Sequence, residues 1–171
     1  LDLKDYGLNY LESEISAVHS SYEPNDSWVF RHHVDEHLDT LAKTHPSWVE
    51  SYRKYLDDAL PVARLVIEMA RTAPSTGNFL QRVASLKGRG ARRLLEWSKK
   101  SALDVYETYF DDWRIWMPAI VTGPTVWGVH PSVPGTGLAG ALYATKHIIR
   151  TGRPEGGSGA LAVDTGLHQH L

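Results

Sequence analysis

The sequence predicts an α+β fold that is mainly helical, and three observations predict it. From 48 to 72, Trp48, Tyr52, Leu56, Ala59, Ala63, Ile67 and Ala70 recur every three or four residues, with charged residues between them, as a long amphipathic helix requires. Ser101, followed three residues later by Asp104, has the form of a capping box ahead of the apolar positions Ala102, Val105, Tyr106 and Tyr109. Only two runs, 8–15 and 27–31, read as extended; two strands make no independent sheet, so both are expected to pair with something else.

Taken in order, residues 1–6 read as the last turn of a helix stopped by Gly7. The polar stretch 20–26 is a turn between the two extended runs. Val34, Leu38 and Leu41 mark one face of a short helix over 34–44, and Pro46 opens the next. Pro61 removes a hydrogen bond from the long helix and is expected to kink or divide it near Ala59. Residues 72–77 read as a loop, 79–86 as a short helix ended by Lys87-Gly-Arg-Gly90, and 91–97 as another helix. Asp111 or Asp112 caps the segment carrying Trp113, Ile115, Trp116 and Met117. Residues 138–150 form the last clear helix, stopped by Gly152 and Pro154, and a helix can restart from Ala160.

A chain of 171 residues fits one domain, or a piece of a larger one, and can bury a real core. Its 18 Lys and Arg against 20 Asp and Glu give a net charge of −2, so no basic field points to nucleic acid. Zero Cys excludes disulfides, thiolate metal sites and a cysteine nucleophile, and fits a cytoplasmic location. No apolar run is long enough to span a membrane, and the start at Leu1 is neither a signal peptide nor an initiator methionine, which points to a fragment. Six Trp and eight Tyr suit the walls of an apolar ligand site and fill helical cores equally well.

Several motifs invite a chemical reading. Gly135-Thr-Gly-Leu-Ala-Gly140 has the letters of a dinucleotide fingerprint, but 129–134 is too proline-broken for the preceding strand and Glu155 follows no strand, so it reads as a tight turn into a helix. His33-Val-Asp-Glu-His37 matches the pattern of inverted zinc peptidases, in which two His one helical turn apart bind the metal and Glu36 activates water. Glu96 or Glu107 would supply the third ligand; a polar helix N-terminus is the plainer reading. Ser158 lacks the second glycine of a nucleophile elbow, because Ala160 stands there. Lys87, Arg89, Arg92 and Arg93 read as a solvated helix start rather than a phosphate site. Adjacent pairs Asp57/Asp58 and Asp111/Asp112 point different ways on a helix and make poor acid/base partners. His168 and His170 sit at a frayed end.

Six segments together resemble the middle of phytoene-desaturase-like FAD-dependent oxidoreductases, in the subgroup named pyridine nucleotide-disulfide oxidoreductase domain-containing. They are Tyr55-Leu-Asp-Asp-Ala-Leu-Pro-Val-Ala63, Ser101-Ala-Leu-Asp-Val105, Thr122-Gly-Pro-Thr-Val-Trp-Gly128, Pro134-Gly-Thr-Gly137, Tyr143-Ala-Thr-Lys-His147 and Gly152-Arg-Pro-Glu-Gly-Gly-Ser-Gly-Ala-Leu161. The resemblance implies the substrate (cap) domain of a two-domain enzyme: a linker with extended segments at 1–32 that join a larger sheet, a helical substrate domain at 33–152, and a truncated return toward the FAD domain at 153–171. It implies that Gly156 and Gly157 pass near the flavin and that Trp127, Pro124 and Gly128 form part of the substrate wall, and it transfers no catalytic residue. The implied activity is dehydrogenation or desaturation of a small apolar or amine-like substrate with hydride transfer to FAD, with peripheral membrane contact open and the chain inactive alone. The main FAD motif is absent from these residues, and beyond Leu161 the sequence departs from the family pattern. Other readings are a free-standing helical protein-interaction module and, further off, a zinc hydrolase built on His33, Glu36 and His37.

Overall fold

A computed structural model describes residues 9–12, 15–20, 22–23, 26–70, 77, 81, 89–125, 128–151 and 161–164. The expectations for 1–6, 72–76, 152–160 and 165–171, including Gly156, Gly157, Ser158, His168 and His170, lie outside them, as does the helix over 79–86 apart from helical Gln81.

The architecture is mainly helical with two small antiparallel sheets. Strand β1 (Asn9–Glu12) pairs with β4 (Leu161–Asp164), Asn9 opposite Asp164 and Glu12 opposite Leu161. Strand β2 (Ile15–Ser20) pairs with β3 (Ser27–Arg31), His19 opposite Trp28, with an irregularity at Ile15/Ala17. Two expectations are corrected here. The extended segments find partners within the chain instead of waiting for an outside sheet, and the chain from Leu161 is a strand, not a restarted helix. A third strand, β2, went unread because its pattern is inverted. Its outward Val18 is 66% exposed, whereas Ala17 and the ring of His19 turn toward Trp28 and Phe30, so period-two hydrophobicity is missing.

Helix α1 (Val34–Thr44) has Asp35 and Glu36 in its first turn and Lys43 in its last, each sign favourable to the helix dipole. It buries Leu38 and Leu41 and packs on β3. A 3-10 turn (Pro46–Trp48) leads into α2 (Val49–Ala70), on which Tyr52, Tyr55, Ala59, Val62 and Ala63 have no exposed surface. Pro61 does not divide α2. Proline has no N–H to give the carbonyl four residues back, that of Asp57, which is an exposed residue.

Around α2 stand α3 (Arg89–Trp97) and, after α4 (Ala102–Glu107) and α5 (Trp113–Thr122), the last helix α6 (Leu142–Thr151). Helix α3 begins earlier than the Gly90 breaker led the sequence reading to expect, and the single helix expected over 138–150 is a 3-10 turn (Gly137–Ala141) followed by α6. The capping box at α4 forms as expected: Asp104 N–H donates to Ser101 Oγ at 3.0 Å and Ser101 N–H to Asp104 Oδ2 at 3.0 Å. Asp112 caps α5 by accepting from Arg114 N–H. Ser101→Ala is expected to lower the unfolding free energy by about 1 kcal/mol in a urea titration. No measurable change would mean that the Thr136 hydroxyl, which accepts from Ala102 N–H at 3.0 Å, holds the helix start alone.

The glycines of Gly135-Thr-Gly-Leu-Ala-Gly140 are spent on packing. Gly135, at φ +89°, and Gly137 both donate N–H to the Lys100 carbonyl at 2.9 Å, closing the turn after α3. A Cβ on Gly137 would strike the Trp97 carbonyl oxygen, and one on Gly140 would lie 2.7 Å from Val105 Cγ1. With turns before it and a 3-10 helix formed by its own residues, the segment has no strand–loop–helix context for a dinucleotide.

Candidate functional site

Among the described residues, a sealed histidine–tyrosine centre and an open aromatic groove each bring chemistry-bearing side chains together.

The sealed centre joins β3, α1, α2 and α6. His147 Nδ1–H donates to the His32 carbonyl at 2.8 Å, which leaves Nε2 to accept from the Tyr52 hydroxyl at 3.0 Å. His37 packs against Phe30 with ring centroids 4.5 Å apart and accepts weakly from Arg31 N–H at 3.4 Å. Burial pushes His147 down to about 4, against the hydrogen bond it donates to the His32 carbonyl, which works the other way. Burial pushes His37 down to about 3, helped by the charge its neighbour His147 would carry. The Tyr52 hydroxyl is raised well above its ordinary range by burial. At neutral pH the centre is therefore an uncharged polar link with Tyr52 as fixed donor, and it has no surface through which to meet a substrate.

This geometry corrects the zinc reading. His33 is the extended residue before α1 and is exposed, whereas His37 lies in the core, so the pair shares no metal-facing side. Glu96, one proposed third ligand, is held by Arg93 at 2.8 Å and Lys100 at 2.9 Å. Among the described residues no three His, Cys, Asp or Glu side chains are grouped to hold a metal ion. Arg93, from the basic cluster, also reaches Asp58 at 2.9 Å, where the Tyr109 hydroxyl donates at 2.7 Å; it links α2, α3 and the segment after α4 rather than offering charge to a phosphate.

The open site is a groove of about 520 Å³ between the β2–β3 hairpin and α5. Val18, His19 and Trp28 line one side, and Trp113, Met117 and Pro118 the other. On α5 one apolar face is buried through Ile115, Ala119 and Ile120, yet Trp113, Met117 and Val121, four residues apart, form a second apolar stripe that stays exposed. Trp113 is 54% exposed and Tyr22, on the hairpin turn, is fully so. His19, tilted against Trp28 at 5.2 Å, has its Nε2 buried with no hydrogen-bond partner. Burial lowers it to about 4, with the charge of Lys146 adding to the effect.

Arg114 also lines the groove. Its Nη2 meets Asp112 Oδ2 at 2.6 Å, its Nη1 meets Asp26 Oδ2 at 3.0 Å, and its guanidinium lies 5.8 Å from the Trp48 ring centre. The other oxygen of buried Asp26 accepts from His45 Nε2 at 3.0 Å, and His45 stacks on Trp48 at 4.0 Å. The hydrogen bonds to Arg114 hold the Asp112 carboxyl below its usual range, so it stays ionised. One guanidinium thus ties the hairpin turn to the first turn of α5.

Of the residues that the resemblance marks, Gly156, Gly157 and Trp127 lie outside the described residues. Pro124 is buried, and Gly128 is exposed at φ +71°; both belong to the turn after α5 and neither lines the groove. No sequence signal marked the groove, because the stripe on α5 reads as core. No protein-family model matches this chain, no curated protein matches it, and no solved structure matches it.

Proposed function

We propose that this chain is the substrate-covering part of a FAD-dependent oxidoreductase, supplying an apolar wall and orientation while the flavin accepts the hydride. The observation that carries the reading is the pairing of β1 with β4. A unit inserted into another domain must leave and return at neighbouring points, and this pairing sets the two ends of the helical unit side by side. The open aromatic groove supports the same reading, since an apolar substrate needs a dry wall. The described residues offer no dinucleotide cradle, because the one glycine-rich turn with the right letters is consumed by helix packing. In this reading FAD is held by flanking sequence, and an isolated 1–171 chain is inactive.

The test is the absorbance spectrum of the gene product expressed with whatever coding sequence flanks these residues. Bound yellow flavin, lost on trimming to 1–171, is the expected result; a colourless, folded product with no longer reading frame would overturn it. In that event the exposed stripe Trp113, Met117 and Val121 favours a second reading, a helical module that docks on another protein.

A further inference from the structure

We propose that α5 is the centre of a two-fold dimer interface, its exposed stripe Trp113, Met117 and Val121 packing antiparallel on the same stripe of a second copy of the chain. The inference is independent of the flavin reading and gives the stripe one definite occupant. Its first support is what the helix lacks. A helix on a solvated surface turns charged or polar side chains to water, away from its buried face. Helix α5 carries one charged side chain, Arg114, which is already met by Asp112 at 2.6 Å and Asp26 at 3.0 Å. The side turned to water instead offers Trp113 at 54%, Met117 at 37% and Val121 at 52% exposure. Covering it strips water from no unpaired charge on the helix.

The second support is the order of sizes along the stripe. Side chains four apart form one ridge, and two such ridges lie alongside each other when helices cross at about 50°. Run antiparallel, with Met117 beside the partner's Met117 at the axis, the stripes set each Trp113 against the partner's Val121. Large then meets small at both ends, as a self-complementary two-fold contact requires. The third support is area. Across the groove Val18, 66% exposed, and Tyr22, fully exposed, extend the patch beyond the helix. Side chains of these kinds at these exposures present roughly 500–600 Å². That reaches the top of the range for the largest apolar patch on a monomer, about 300–600 Å², and matches the apolar share of a standard interface of about 800 Å² per partner.

Sedimentation velocity and native mass spectrometry of the full chain test this. A dimer is expected whose population rises with protein concentration. Met117→Glu, which sets two carboxylates together at the axis, should raise the dimer dissociation constant by about a hundredfold or more, and Trp113→Ala by about tenfold or more. Met117→Lys should dissociate the dimer as well. An equimolar mixture of Met117→Glu and Met117→Lys should nevertheless form a mixed dimer, because opposite charges then meet at one point. Leu95→Glu, at a 59% exposed position on α3 outside the groove, should leave the dimer intact. A monomer at every concentration would overturn the proposal and leave the stripe to flanking sequence or a different protein. A dimer that survives Met117→Glu, one that Leu95→Glu dissociates, or charge variants that stay apart when mixed would overturn it too. The readout is mass, so bound flavin or its absence decides none of these outcomes.

Discussion

Gly137→Ala is expected to lower the unfolding free energy by about 3 kcal/mol or more, although alanine is otherwise a good residue for a helical turn. The cause is contact, not backbone freedom. The added methyl would run into the Trp97 carbonyl oxygen and sit 2.9 Å from the Lys100 carbonyl oxygen, backbone atoms of the last residue of α3 and of the turn that follows it, with no slack side chain to yield. Relief requires the 3-10 turn to move away. That would break the two N–H donations from Gly135 and Gly137 to Lys100 and withdraw the Thr136 hydroxyl from Ala102 N–H at the start of α4. It would also disturb the Gly140 carbonyl, which accepts from the Tyr55 hydroxyl at 2.7 Å in the core.

Two other glycines make the comparison decisive. Gly140→Ala should cost less, because the obstacle is the Val105 side chain rather than a backbone. Gly128→Ala should cost only about 1 kcal/mol, the ordinary penalty for a left-handed residue, since nothing lies within 4 Å of its added methyl. Urea titrations of the three variants should give that order. If Gly128→Ala proved the most damaging, the packing account of the glycine-rich turn would fall, and a role for Gly137 in ligand approach would have to be reconsidered.

The same turn shows what can and cannot be read from a sequence of this kind. Local rules with a physical donor and acceptor were legible: the Ser101/Asp104 box, the Asp112 cap, the face of α1 and the long stripe of α2 all form as their spacing requires. Features settled by partners distant in the chain were not. Strand β4 exists because β1 offers it an edge, and Leu161-Ala-Val-Asp164 carries no alternation of its own to announce it. Strand β2 turns Val18 outward and His19 inward, against the usual pattern. The groove was hidden for a related reason. Helix α5 is apolar on two sides, and sequence alone cannot say which apolar side keeps its cover; only the packing of Ile115 and Ala119 inward leaves Trp113 and Met117 in the open. The histidine–tyrosine link, formed by Tyr52 on α2 and His147 on α6, likewise has no local signature.

That link leads to the second large effect, a loss of stability in mild acid. His37 and His147 are each about 1% exposed and are held neutral in the fold, with acid midpoints lowered from 6.5 to about 3 and about 4. The unfolded chain, in which both titrate near 6.5, therefore binds more protons than the native one throughout the window from about 6.5 down to about 4. Stability is complete above that window and falls as pH drops through it, by roughly 1.4 kcal/mol per pH unit for each histidine. Two such groups cost about 4 kcal/mol between pH 8 and pH 5, a large share of the ~5–15 kcal/mol that holds an ordinary domain together. His19 shifts in the same direction but is only partly buried and adds less. Asp112 and Glu96 are lowered as well, through hydrogen bonds to Arg114 and to Lys100 and Arg93, but carboxyls titrate in a more acid range, so their stabilisation persists through this window and is lost only at lower pH. Urea midpoints measured from about pH 8 to pH 5 should accordingly fall steeply, while the ring protons of His37 and His147 show no titration in the native protein down to pH 5. A flat stability profile, or native ring resonances that titrate near 6.5, would mean that the centre opens to water and would remove the basis for treating Tyr52 and His147 as a sealed link.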